Sequence, residues 1–118
     1  MNLLILQWNA CSLLTNGAEL KHYLNSATLI PDIICIQETR LKETSNFNIN
    51  GYYCIRLDRI SETNLTSGGL AIYIKNSIKS FNILKFPDIE ALAVTISSSV
   101  GDINIVNSYF SPVKKFNP

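Results

Sequence analysis

Ile33-Ile34-Cys35-Ile36-Gln37-Glu38-Thr39 is the segment of the 118-residue chain that decides the fold. Its apolar residues occupy successive positions, so both faces of the predicted strand are apolar, as in the covered strands of parallel sheets. An earlier apolar run spans residues 2–8, and helical spacing over residues 17–29 ends before Pro31. We therefore predict a strand-helix-strand unit, whose crossover is almost always right-handed.

The remainder of the chain predicts further strands that are separated by polar loops over residues 40–51 and 58–68. The candidate strands lie at residues 52–57, 69–75, 78–85, 89–97 and 102–110. A turn signal at residues 98–101 favours an antiparallel hairpin between the last two strands. Thr15 or Asn16 is expected to cap the helix. The predicted fold class is therefore α/β, with a mixed sheet that starts as βαβ and continues with antiparallel strands.

The composition restricts the class of protein. The length suits one modest domain. The formal charge of +1 is too small for the strongly basic surface of a typical nucleic-acid-binding domain, so any DNA contact has to be local. Three cysteines without metal-binding spacing favour a reducing compartment and hence an intracellular location, nuclear or cytoplasmic. The apolar start lacks a basic segment and a cleavage site, and no run reaches about 18 apolar residues, so neither a signal peptide nor a membrane span is expected.

Three predicted strands end at residues that can act on a phosphate: Asn9, Glu38 and Tyr109. Ligands bind beyond the carboxyl ends of parallel strands, and neighbouring strands lie roughly 5 Å apart. A carboxylate beside an amide suits Mg²⁺, which prefers oxygen ligands, and a phenol can donate a hydrogen bond to phosphate. Each residue also has an ordinary interpretation, as a solvated strand end, a turn residue or a rim aromatic. The pattern alone leaves the function undecided.

Several sequence segments resemble the motifs of a known superfamily. Three of them resemble the first three motifs of the endonuclease/exonuclease/phosphatase superfamily: Leu6-Gln7-Trp8-Asn9, Ile34-Cys35-Ile36-Gln37-Glu38-Thr39 and Asn107-Ser108-Tyr109-Phe110-Ser111-Pro112. Two further segments look most like the endonuclease domain of non-LTR (LINE-type) retrotransposons: Arg56-Leu57-Asp58-Arg59 and, after it, Gly68-Gly69-Leu70-Ala71-Ile72-Tyr73-Ile74-Lys75. These motifs span nearly the whole chain in the family's order and spacing.

The resemblance implies a DNase I-like, four-layered α/β sandwich with two facing sheets, of which residues 1–118 would form the N-terminal half. It implies Mg²⁺, with Mn²⁺ as the alternative ion, held by Glu38 with Asn9 as its companion, and a phosphate contact from Tyr109. The implied activity is hydrolytic nicking of DNA to prime reverse transcription, in a parent polyprotein that also carries a reverse transcriptase. The candidates for DNA contact, which are otherwise ordinary solubilising charges, are Arg40, Arg56 and Arg59, with Lys42, Lys114 and Lys115 in addition.

Two departures from the family pattern affect this interpretation. Cys11 stands where the AP-endonuclease branch has an acid two positions after the asparagine, which argues against that branch. The family's later Gly-Asp-x-Asn and Asp-His motifs are absent, since Gly101-Asp102 is followed by Ile103 and no histidine follows His22. We therefore expect a partial domain that lacks its second sheet and does not cleave DNA at a useful rate. The alternatives are a non-catalytic remnant and a phosphatase or AP-endonuclease-like member of the superfamily.

Overall fold

Seven strands and one α-helix are formed by residues 3–59 and 68–110, the parts of the chain that our computed structural model describes. In chain order they are β1 (Ile5–Asn9), α1 (Leu13–Ser26), β2 (Ile33–Gln37), β3 (Tyr52–Leu57), β4 (Leu70–Lys75), β5 (Ser80–Phe86), β6 (Ala91–Ser98) and β7 (Gly101–Ser108). A 3₁₀ turn over Pro87–Ile89 joins β5 to β6. Every predicted strand is present, with its ends within three residues of the predicted ones.

The first sheet has the strand order β1-β2-β4-β3. β1 and β2 are parallel, and β4 runs antiparallel to both of its neighbours, β2 and β3. The parallel pair with α1 between its strands confirms the predicted βαβ unit. All five residues of β2 are buried, which explains why its sequence is apolar on both faces.

The second sheet has the order β5-β6-β7 and is antiparallel throughout. Its β6–β7 pair is the predicted hairpin, closed at the Ser98↔Gly101 end. The expectation that the second sheet is missing is therefore wrong. The physical reason lies in β4, which is apolar on both faces and therefore needs a covering layer on each side. The second layer is supplied by the inward side chains of β6, which are Leu92, Val94 and Ile96.

Two apolar cores lie on opposite faces of the first sheet, so the molecule has three layers: helix, sheet and sheet. The core between the sheets contains Ile33 and Cys35, whereas Ile34 and Ile36 contribute to the core beneath α1. This alternation along β2 is the two-residue period of a strand. The arrangement, a mixed sheet facing an antiparallel one, confirms the predicted α/β class.

Helix α1 begins four residues earlier than predicted, and Ser12 is its cap instead of Thr15 or Asn16. The Ser12 hydroxyl accepts a hydrogen bond from the Thr15 amide at 3.4 Å. Asn16 instead donates from its side chain to the carbonyls of Ala10 (2.9 Å) and Cys11 (3.0 Å), which holds the turn that follows β1. With 14 residues, α1 is too short to cross a membrane, and no helix in the described ranges meets that requirement.

Candidate active site

The carboxyl ends of β1 and β2 lie side by side at one edge of the first sheet. Asn9 is the register partner of Gln37, the last residue of β2. Beyond the strands the pairing continues, since the Ala10 amide donates to the Gln37 carbonyl at 2.9 Å and the Ser12 amide to the Glu38 carbonyl at 3.0 Å. The structure therefore places Asn9 and Glu38 at the same rim.

The Glu38 carboxylate is turned towards the second sheet by the backbone. Gln37 faces the second sheet, so in a continuing strand the next side chain would face α1. Glu38 instead has φ of 51°, in the left-handed region, which costs a non-glycine residue roughly 1–2 kcal/mol. Its Oε1 accepts a hydrogen bond of 2.9 Å from the hydroxyl of Tyr109, which follows β7 in the second sheet. Two of the three predicted site residues are therefore in direct contact.

The Tyr109 phenol is protonated and donates a hydrogen bond to Glu38. Its hydrogen bond to Glu38 raises the pKa of the phenol above the ordinary value of 10.0, and burial and the negative charges of Glu38 and Glu90 raise it further, against a lowering by Arg59. A phenol with a raised pKa remains protonated at neutral pH, so it can donate to an anionic oxygen.

A buried amide network joins the two sheets directly behind this rim. The Asn107 side chain is 2% exposed, accepts from Gln37 Nε2 at 2.6 Å, and donates to the carbonyls of Ile36 and Ala71, both at 3.0 Å. Gln7 Nε2 donates in turn to Gln37 Oε1. Sequence reasoning missed Gln37 and Asn107 as functional residues; the available signal was an amide at the end of each of two apolar strands.

The Gly68-Gly69 segment also lies against the end of β2. The Thr39 amide donates to the Gly69 carbonyl at 3.2 Å, and the Gly69 amide donates to Oε1 of Glu90 at 3.0 Å. Gly69 has φ of +93°, and a Cβ at this position would collide with the Thr39 hydroxyl. Only glycine therefore fits this close approach. Sequence reasoning also missed Glu90, since an acid between a turn and a strand carries no distinguishing signal.

Arg56, a candidate for DNA contact, is engaged within the protein. Its guanidinium forms an ion pair with Asp58 at 2.8 Å and donates to the carbonyls of Ser45 (2.6 Å) and Lys42 (2.9 Å) and to Oδ1 of Asn46 (3.1 Å). These contacts fasten the 42–46 loop to the end of β3.

The other two candidate arginines lie closer to the rim. Arg59 forms an ion pair with the buried carboxylate of Glu90. Arg40 directly follows the rim residues, and its guanidinium contacts the Cys11 sulphur at 3.6 Å. Lys42 is exposed, and the candidates Lys114 and Lys115 lie outside the described residues.

An open groove of about 580 Å³ runs between β1 and β7 and ends at the rim. Asn9 and Tyr109 both line it, and its volume lies in the range of small-molecule sites. Within residues 3–59 and 68–110, no three histidine, cysteine or acidic side chains converge as a metal centre. Glu38 and Asn9 nevertheless fit Mg²⁺ chemically, because this ion usually takes one or two carboxylates and keeps several waters. Asn9 Oδ1 already accepts from the Cys11 amide at 3.2 Å, which fixes its orientation.

The fold and the composition of this rim agree with a family assignment: the chain belongs to the endonuclease/exonuclease/phosphatase family, whose model matches residues 6–114. The predicted family is thereby confirmed. Among known proteins, the chain is 26% identical over 110 residues to a probable RNA-directed DNA polymerase from transposon BS of Drosophila melanogaster. That match covers 92% of this chain and 12% of the transposon protein, and it confirms the predicted relation to a transposon-encoded polymerase.

Solved structures share the fold. A 3′ phosphatase from Neisseria bound to a product DNA hairpin superimposes with a TM-score of 0.62 at 23% identity, covering 92% of this chain and 41% of that one. An AP endonuclease from Archaeoglobus fulgidus gives 0.60 at 18% identity, with 92% and 41% covered. The catalytic domain of APE2 from Xenopus laevis gives 0.61 at 18% identity, with 89% and 44% covered. The chain thus spans about two fifths of these structures, and the likeness confirms the DNase I-like fold class.

Proposed function

We propose that the domain to which this chain contributes hydrolyses phosphodiester bonds of DNA with Mg²⁺ as its cofactor (Mn²⁺ as the alternative), as a nicking endonuclease of a retrotransposon. The observation that carries the proposal is the 2.9 Å hydrogen bond between Tyr109 and Glu38 at the rim that Asn9 shares. It is supported by membership of a nuclease and phosphatase family and by the transposon-encoded relative. In this proposal, residues 1–118 are one part of that domain, and the parent polyprotein also carries the reverse transcriptase.

The three rim residues have distinct roles in the proposal. Glu38 is the Mg²⁺ ligand, and Asn9 is the second oxygen donor to the ion or to the bound phosphate. Tyr109 carries a single hydroxyl hydrogen, so in this proposal it turns its hydrogen bond from Glu38 to a phosphate oxygen when the substrate binds. The chemistry supplied by bound Mg²⁺ is polarisation of the phosphoryl group and neutralisation of charge on its oxygens.

The buried network of Gln37 and Asn107 contributes rigidity instead of chemistry. It fixes the ends of β2 and β7 relative to each other, so that the carboxylate and the phenol keep their geometry when DNA binds. Preorganised groups of this kind stabilise a transition state without reorganising during the reaction.

We propose further that the 118 residues alone do not cleave DNA at a useful rate. Hydrolysis requires a base for the attacking water, and loss of such a base costs roughly 10²–10⁴-fold in rate. The single histidine, His22, is exposed near the far end of α1. Of the two carboxylates bonded at the rim, Glu38 is the proposed Mg²⁺ ligand, and Glu90 is buried against Arg59.

Two measurements on this chain test the proposal. Titration with Mg²⁺, followed by NMR, should perturb the amides around Glu38 in the unsubstituted chain but not in Glu38→Gln. The matched control is Glu43→Gln, since Glu43 is an exposed acid in the loop beyond the rim. A plasmid-nicking assay with Mg²⁺ should show no activity above background. Robust nicking that Glu38→Gln abolishes would contradict the proposed inactivity, and a Mg²⁺ response that survives Glu38→Gln would contradict the metal site.

DNA binding separates a nuclease segment from a non-catalytic remnant. The proposed segment should bind a duplex oligonucleotide weakly, with an affinity that falls steeply as salt increases. Arg40→Gln should weaken binding because Arg40 lies at the rim, whereas Lys79→Gln, at the opposite end of the sheets, should not. Equal effects of the two substitutions, or no binding at low salt, would favour the remnant.

A further inference from the structure

Glu90 combines a strained backbone with a buried charge. It follows the 3₁₀ turn with φ of 52°, and its side chain is 5% exposed. A buried carboxylate is costly unless it is paired and hydrogen-bonded. Glu90 has both kinds of partner: the Arg59 guanidinium binds Oε2, and the Gly69 amide donates to Oε1 at 3.0 Å.

Three hydrogen bonds connect Glu90 to the two ends of the Tyr109–Glu38 contact, which is itself a fourth hydrogen bond. The Tyr109 amide donates to the Glu90 carbonyl at 3.2 Å, and the Tyr109 hydroxyl donates to Glu38 at 2.9 Å. From the other side, the Glu90 carboxylate accepts from Gly69, whose carbonyl accepts from the Thr39 amide next to Glu38. The chain of contacts is therefore a closed ring, in which Glu90 holds Tyr109 by its backbone and the end of β2 by its side chain.

We propose that Glu90 is a positioning residue that sets the separation between the Tyr109 hydroxyl and the Glu38 carboxylate. This inference rests on the proposed function, in which that pair forms part of the phosphate site. Glu90 reaches neither the groove nor the reacting atoms and acts through Gly69 and Tyr109. Its left-handed backbone lets one residue present its carbonyl to β7 and its carboxylate to the first sheet.

The test uses a substitution that keeps the charge but shortens the reach. Glu90→Asp leaves the electrostatic effect on Tyr109 in place, but its carboxylate can no longer reach both the Gly69 amide and Arg59. Asp32→Glu is the matched control, because Asp32 also holds one backbone amide, that of Leu4 (2.8 Å), and one basic side chain, Lys75 (3.1 Å), at the opposite end of the sheet.

The readout is the chemical shift of the Tyr109 ring at pH 7, measured by NMR of tyrosine-labelled protein, with the Tyr109 signal assigned by its loss in Tyr109→Phe. Glu38→Gln defines the full change of this signal when the hydrogen bond to the Glu38 carboxylate is lost. We expect Glu90→Asp to give at least half of that change and Asp32→Glu to give none. Circular dichroism verifies that each variant is folded.

An unchanged Tyr109 signal in folded Glu90→Asp would overturn the inference, as would an equal change in Asp32→Glu. If Glu90→Asp does not fold, Glu90→Gln replaces it: the side chain keeps its length, so its oxygen can still accept from the Gly69 amide, and the Tyr109 signal should change by less than half of the Glu38→Gln effect. A change as large as that of Glu38→Gln would overturn the inference as well. The outcome is independent of the Mg²⁺ titration, so failure of the proposed metal site and failure of the positioning role are distinguishable.

Discussion

Replacement of Asn107 by alanine should destabilise the fold more than any single exposed substitution, because its amide joins the two sheets. The side chain is 2% exposed and makes three hydrogen bonds, one from Gln37 and two to backbone carbonyls of the first sheet. A net contribution of roughly 1 kcal/mol for each buried hydrogen bond gives a loss of about 3 kcal/mol in the free energy of unfolding. That is a large fraction of the roughly 5–15 kcal/mol typical of native proteins.

Urea denaturation measures this loss, with fluorescence of the single tryptophan, Trp8, as the probe. Trp8 packs against the core beneath α1 and therefore reports unfolding of the first sheet. For a slope of about 2 kcal/mol/M, a loss of about 3 kcal/mol lowers the transition midpoint by about 1.5 M. Asn104→Ala is the matched control, because Asn104 lies on the same strand, is exposed and accepts one hydrogen bond, from Thr95 at 2.7 Å. The reasoning is refuted if the two variants lose the same stability, or if Asn107→Ala loses less than about 1 kcal/mol.

Three further predictions concern packing and titration. Gly17→Ala should lower the free energy of unfolding, measured in urea, because a Cβ there collides with the Phe47 ring; overpacking costs roughly 1–3 kcal/mol against a helix-propensity gain of about 1 kcal/mol. Burial raises the pKa of Cys35 to about 11, so at pH 8 a disulfide reagent should modify exposed Cys11 in the native protein and Cys35 only after unfolding. The raised pKa of Tyr109 means that its stabilising effect is complete below the ordinary value of 10.0 and is lost as the pH rises through the folded-state value; denaturation series at alkaline pH should show this loss, and Tyr109→Phe should remove it.

Local sequence patterns were sufficient to predict the strands but not their division into sheets. Each strand contains a cluster of apolar or β-branched residues, so its existence follows from the local sequence. The division depends on contacts between distant parts of the chain, such as those that bring Ile72, Val94 and Ile105 into one core. The helix start was missed for a local reason: Thr15 and Asn16 are residue types that often cap a helix, so the predicted start at residue 17 left out Leu13, which shares a buried stripe with Gly17 and Leu20.

The site was predictable only where strand ends determine it. The adjacency of Asn9 and Glu38 follows from one strand-helix-strand unit, whose parallel strands end at a common edge. The direction of the Glu38 carboxylate depends on a positive φ that no sequence pattern indicates at a glutamate. The contact between Gln37 and Asn107 joins residues 70 positions apart, so a single sequence without covariation holds no evidence for it.

The groove beside the rim has a consequence for handling the protein. Its walls, β1 and β7, are the outermost strands of their sheets, and each offers a row of main-chain amides and carbonyls to solvent. Ile5 and Val106, exposed at 45% and 65%, add apolar surface to these two edge strands. Concentrated samples of the isolated chain should thus associate edge to edge through these strands, and Val106→Lys should reduce this association.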